Sequence, residues 1–220
     1  MKENNLRGTI CLLITACVWG SGLIAQKLGM VHMGPLLFNG SRMFIASMVL
    51  LPAALISSSR SGFYSRERTM AVLAIDNSFN GNIEDEATRI IKKRRRDILI
   101  GGIICGLFTA VGAGVQQIGI NMVSVGKAGF LTTLYVILVP VIGIVLGRKV
   151  DLKLWGCVIV ALIGFALLSL NKDAGGVSIG DLIIVLSALF FAIQINAVGI
   201  YSPRTNPLLL SMIQMFICGV

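Results

Sequence analysis

Charge is scarce in this chain, and that scarcity is its first constraint. Only 13% of the 220 residues are Asp, Glu, Lys or Arg, against roughly 25% in an ordinary soluble domain. With 55% hydrophobic residues and a mean hydropathy of +0.87, the chain cannot have water as its main solvent. Histidine is nearly missing as well, His32 being the single copy. Five cysteines are present (Cys11, Cys17, Cys105, Cys157, Cys218), but no CxxC pair and no His/Cys cluster accompanies them. Zinc sites and a disulfide framework are therefore not indicated, and each cysteine reads as a packing residue inside an apolar run. Paired acids, HExxH, GxSxG and the P-loop pattern are also lacking, so nothing points to an enzyme, a metal or a cofactor.

What the chain does have is long apolar runs. A hydrocarbon core about 30 Å thick needs roughly 20 apolar helical residues, because only a helix satisfies its own backbone hydrogen bonds in lipid. Six segments meet that requirement: Gly8 to Leu28, Pro35 to Ile56, Ile98 to Ile120, Val125 to Gly147, Leu152 to Leu170 and Ile179 to Ile200. A seventh starts at Pro207 and is still apolar at Val220, after about 21 Å of helix. The expected fold is thus an all-α, polytopic transmembrane bundle of six full spans and a seventh cut short, with the lipid bilayer as its partner. Lys2 and Arg7 before the first span give it the look of a signal peptide, but it is long and has no small-residue cleavage site.

The formal net charge of +9 would suit a nucleic-acid partner in a soluble protein. Here the cations lie mostly between apolar runs, where retention of Lys and Arg on the cytoplasmic side explains them, and no nucleic acid is expected. Fifteen of them fall at the N-terminus and in alternate loops, whereas the opposite side holds Lys27, Lys127 and Lys172. Leaving out the long loop at 57–97 still gives six against three. The N-terminus is accordingly expected in the cytoplasm and the protein in the cell membrane.

Displacing the chain by 172 positions against itself aligns Gly8 with Gly180, Ala16 with Ala188, Ala25 with Ala197 and Pro35 with Pro207, without a gap. Pro35-Leu36-Leu37 then faces Pro207-Leu208-Leu209, and Met43-Phe44-Ile45 faces Met215-Phe216-Ile217. One repeat holds five spans, an odd number, so the second copy must enter the membrane from the other side, as in many secondary transporters. The expected units are 1–171, which includes the long cytoplasmic loop at 57–97, and 179–220, the first two spans of an incomplete second copy.

Trp19-Gly20-Ser21 in the first span, Pro35 and Arg42 around the second, Pro140 in the fourth and Gly180-Asp181 at the start of the second copy resemble the EamA family of the drug/metabolite transporter superfamily. The likeness covers nearly all of the chain except the loop after the second span. It implies ten spans in two inverted five-span repeats, and transport or export of small metabolites. Three features depart from that pattern. Gly147-Arg148-Lys149 stands where the family commonly has a glutamate after the glycine, the loop from Ser57 to Asp97 is long, and the last three spans are not in the chain. The competing reading is a truncated, non-transporting membrane subunit or a structural membrane protein, and a homo-oligomer is left open.

Arg42 is the one charge well inside a span, about 10 Å along the helix from Pro35. A charge at that depth marks a watery cavity or an anionic substrate group, unless it snorkels to the interface. Candidates for the same path are Trp19, Gln26 and Asn39 in the first two spans and Gln116, Gln117 and Asn121 in the third. Thr132, Thr133 and Tyr135 in the fourth span, Gln194 and Asn196 in the sixth and Gln214 in the seventh complete the set. Gln214 stands at the repeat position of Arg42. Gly102, Gly106, Ala110 and Gly114 form a small-residue stripe that reads as helix packing, and Pro140 is expected to loosen the fourth span and serve packing or gating. No acid lies deep in a span, and His32 reads as a solvated loop residue, so no proton relay is indicated. Asp76 to Ile83 begins like a calcium loop, but Ala87 occupies the twelfth position, which needs a bidentate glutamate. Lys92 to Arg96 reads as a positive-inside anchor at the lipid headgroups.

Overall fold

The computed structural model describes residues 2–31, 33–75, 81–147, 155–156, 158–160, 163–164 and 178–220. These residues include the α-helices α1 (Lys2–Gly29), α2 (Pro35–Ser61), α3 (Arg66–Ile75), α4 (Ile83–Met122), α5 (Val125–Thr132), α6 (Tyr135–Val145), α7 (Ile179–Tyr201) and α8 (Pro207–Gly219). Five helical stretches among them are long and apolar enough to cross a membrane, and Pro207–Gly219 is a shorter apolar helix. The all-helical, multi-pass reading therefore stands for the described residues. Most of the fifth expected span, Leu152 to Leu170, lies outside them, as do His32 and Asp76 to Asn80.

The helix ends follow from local chemistry. Pro35 and Pro207 open α2 and α8 at the position where a missing N–H costs nothing. Asn206 accepts from the amides of Leu208 and Leu209, and Asn82 accepts from that of Glu84, each covering orphan donors of a first turn. Ser178 and Asp181 form a reciprocal capping box at the start of α7. Gly62, at φ 57°, stops α2 in the left-handed conformation that a side chain would resist, and its N–H bonds the carbonyl of Ser59.

One expectation needs correction. The segment 57–97 is not a long loop: it contains the end of α2, all of α3 and the first fifteen residues of α4. At 40 residues α4 is about 60 Å long, twice the hydrocarbon thickness, so its charged first part projects beyond the membrane. Arg94 ties that projection to the end of α2, donating to the carbonyl of Phe63 at 2.7 Å while its guanidinium lies 4.2 Å from the centre of the Phe63 ring. The fourth span is divided by a turn at Thr133–Leu134, between α5 and α6. Thr132 and Thr133 donate their hydroxyls back to the carbonyls of Ala128 and Phe130, a local bonding pattern that bends helices. Pro140 lies within α6 and is buried.

At the centre of the bundle α4 packs against α7 and α8. Its glycines set the approach: a Cβ at Gly102 would come within 2.4 Å of Ile213, and one at Gly106 within 2.7 Å of Ile217. Gly114 instead faces Leu36 of α2. Gly112 and Gly119, on another face of the same helix, admit Phe190, Phe191 and Ile184 of α7. Helices α2 and α8 run antiparallel. Asn206 at the start of α8 donates to Ser57 near the end of α2, while Gly219 at its other end sits against Phe44. Near that second end, Phe44 and Phe216 meet with ring centroids 6.0 Å apart.

The bundle has two chemically different ends. One gathers Arg60, Arg68, Arg94 and the Tyr64–Asn206 contact. The other holds Lys27, whose ammonium donates to the carbonyl of Val123 at 2.5 Å, and the Lys127–Asp181 ion pair at 2.7 Å.

Candidate functional site

A cavity of about 540 Å³ lies among α1, α2, α4, α5, α6, α7 and α8. Its volume is in the range of small-molecule sites. Helix α4 can line it because its glycine-bearing faces are spent on α7 and α8, which leaves Thr109, Ala113 and Gln116 turned toward the cavity. The break between α5 and α6 brings Thr132, Thr133 and Tyr135 to the same space.

Of the residues singled out as path candidates, Trp19, Gln26, Arg42, Gln116, Tyr135, Gln194 and Gln214 line this cavity, with Thr132 and Thr133. Asn39 lies beneath it, accepting from Arg42 Nη2 at 3.1 Å, with its own amide directed at the sulfur of Cys218. Gln117 is fully buried on another face of α4, and neither end of its amide has a hydrogen-bond partner among the described residues. Asn196 donates to the carbonyls of Val139 and Ala192, where it ties α7 to α6. Asn121 is exposed near the end of α4.

Inside the cavity the polar groups are partly committed to one another. Gln116 donates to Thr132 at 2.9 Å, and Gln194 donates to Gln214 at 3.1 Å, linking α7 to α8. Gln26 is only 5% exposed, and its carbonyl oxygen has no partner. Arg42 is half-buried, its Nε is sealed from solvent without a hydrogen bond, and among the described residues it has no ion pair. Trp19 and Tyr135 pack at 6.1 Å, forming an aromatic wall. The outward side of Trp19 is open, the residue being 58% exposed.

The lining also carries the 172-position displacement. Trp19 and Phe191, Leu23 and Ile195, Arg42 and Gln214, and Met43 and Met215 are all cavity residues, and each pair is separated by that interval. Between the cavity and the lysine end sits a tight apolar cluster of Met30, Ile120, Val123, Ala128, Leu131 and Ile184. Beyond that cluster lies the Lys127–Asp181 pair, with side chains 13% and 6% exposed.

An all-helical bundle of membrane-crossing length around such a cavity fits the comparison with known proteins. The EamA-like transporter family matches the chain over residues 6–82 and 86–170. This chain belongs to that family. An uncharacterized transporter of Archaeoglobus fulgidus is 27% identical to it over 206 residues, covering 93% of this chain and 53% of the relative. The EamA-like chain thus spans about half the length of that relative. No solved structure matches it.

Reading polar residues alone missed the apolar half of this EamA-like site. Leu23, Met43, Phe191, Ile195 and Met215 carry no chemistry that singles them out in a hydrophobic chain. The 172-position alignment was the available signal, since the interval that pairs Arg42 with Gln214 also leads from Trp19 to Phe191. The partnership of Lys127 and Asp181, 54 positions apart, had no sequence signal beyond their common location at span ends.

Proposed function

We propose that this EamA-like protein is a secondary transporter that carries small metabolites across the cell membrane, N-terminus in the cytoplasm, by alternating access to the cavity. The observation that carries the reading is the set of four cavity pairs displaced by 172 positions. Solute sites of inverted-repeat transporters lie near the midplane where the two copies meet. Residues 1–171 form the first copy and 179–220 the opening of the second. Further support comes from α2 and α8, which are antiparallel and place Phe44 against its own counterpart Phe216, as a two-fold axis between them requires.

In this reading Trp19, Gln26, Arg42, Gln116, Tyr135, Gln194 and Gln214 line the solute path, and Gly102, Gly106 and Gly114 serve packing. The apolar cluster around Ile120 and Leu131, with the Lys127–Asp181 pair beyond it, closes the path toward the outer face. Opening that side requires α7 to part from α5, which the pair now joins.

A second reading, a membrane component that transports only together with further helices, is favoured by α1. Residues 8–21 of that helix are all exposed, so one wall of the cavity faces outward. Flux of amino acids and small metabolites through the purified 220-residue chain in liposomes, measured beside the full-length Archaeoglobus relative, separates the two. Uptake by both supports transport by this chain itself. Uptake by the relative alone supports the component reading, and uptake by neither sinks both.

A further inference from the structure

We infer that the cavity takes an organic monoanion with an apolar body, its carboxylate held by Arg42. The inference rests on the proposed solute path and names the class of solute. Among the described residues, Arg42 is the sole charged residue lining the cavity, and no carboxylate of theirs lies there to neutralise it. Its Nη2 is committed to Asn39 and its Nε is sealed, which leaves Nη1 as the guanidinium nitrogen for a ligand in the cavity that Arg42 lines. Burial of Asn39, which is 4% exposed between α2 and α8, fixes the Nη2 contact. An unneutralised guanidinium in a site of low dielectric favours an anion, and a carboxylate oxygen can accept a charge-assisted hydrogen bond from Nη1.

Single charge on the protein argues for single charge on the ligand. A phosphate monoester carries about −1.5 to −2 at neutral pH, and one guanidinium would leave part of that charge buried without compensation. Trp19, Tyr135, Phe191, Met43 and Met215 supply aromatic and thioether surface for an apolar body. Gln214 in place of a second arginine makes the two halves unequal. A ligand with one charged end therefore binds in one orientation, its carboxylate toward α2 and its far end toward the Gln194–Gln214 amides.

Isothermal titration of the detergent-purified chain with 3-phenylpropanoate, 3-phenylpropanamide, 3-phenylpropylamine and phenyl phosphate tests this. The carboxylate is expected to bind at least about tenfold more tightly than the others, as one charge-assisted hydrogen bond allows. Arg42→Gln is expected to bring the carboxylate down to the affinity of the amide, and Arg42→Lys to keep part of the preference. Trp19→Ala should weaken all aromatic probes alike and leave the preference intact. The inference falls if the amide, amine or phosphate binds as tightly as the carboxylate, if none of the probes binds, or if Arg42→Gln retains the preference. Flux in liposomes keeps it separable from the transport reading. Carboxylate binding without flux of any solute sinks transport and leaves the site, whereas flux of a neutral solute that 3-phenylpropanoate does not inhibit sinks the site and leaves transport.

Discussion

Asp181 is a carboxylate taken almost wholly out of water, and the chain must offset that desolvation locally. One oxygen does so, accepting from Lys127 at 2.7 Å and from the amide of Ser178 at 2.7 Å, while the other has no partner. Removing the cation should therefore cost more than a surface pair would. Lys127→Met is expected to destabilise the protein by about 3–5 kcal/mol, and adding Asp181→Asn to recover most of it, because a buried charge without compensation is worse than none. Thermal unfolding in detergent of the single and double variants measures both. Gln117 presents the opposite case, a buried amide with no partner at either end among the described residues. Gln117→Met should be neutral or stabilise by about 1 kcal/mol, whereas Gln116→Met, which strips Thr132 of its donor, should destabilise by about 1 kcal/mol. These neighbours also show why the site was only half legible. Both are glutamines in the same apolar run, but α4 is surrounded by helices, and no polarity pattern says which of its faces meets a cavity and which meets packed side chains.

Among the elements, α4 carries the most packing, and its glycines are specific to position. Gly106→Leu should force Ile217 and the backbone of Gln214 away, since a Cβ alone would approach to 2.7 and 3.1 Å. Overpacking of that kind costs about 1–3 kcal/mol and would displace α8, and with it Gln214, from the cavity. Gly126→Ala, with nothing within 4 Å, is the matched control and should be neutral or slightly stabilising, as Ala relieves the backbone entropy of Gly in a helix. Melting temperatures of the two variants check the contrast. Span positions were legible because twenty-residue apolar runs have few alternatives in a membrane. The helices of 57–97 were not, because Arg66 to Ile75 and Ile83 to Asp97 mix charges of both signs with short apolar stretches and look like a solvated loop. Acid in the first turn of α4 (Glu84, Asp85, Glu86) and the cap at Asn82 were the overlooked helix signals. The turn at Thr133–Leu134 carried no Gly or Pro, and the hydroxyls of Thr132 and Thr133 that bond back to Ala128 and Phe130 were the signal for it.

For the whole molecule, the distribution of cations is a statement about topology. Exposed Lys92, Lys93, Arg95 and Arg96 encircle α4 just before it becomes apolar at Ile98, at headgroup level if α4 crosses the bilayer from there. Each such residue near an anionic surface gains about 1 kcal/mol, so translocating this collar would be opposed by several together. Gly126, at the start of α5, lies at the other end of the bundle, close to the pair of Lys127 with Asp181. The two positions should therefore be reached from opposite sides of the membrane. In a background with all five cysteines replaced, Arg95→Cys in intact cells should resist a membrane-impermeant maleimide and react once the membrane is opened, whereas Gly126→Cys should react from outside. The reverse pattern would place the N-terminus outside and turn the closed apolar cluster toward the cytoplasm. Labelling of both from outside would break the orientation altogether, because α4 could no longer span between them.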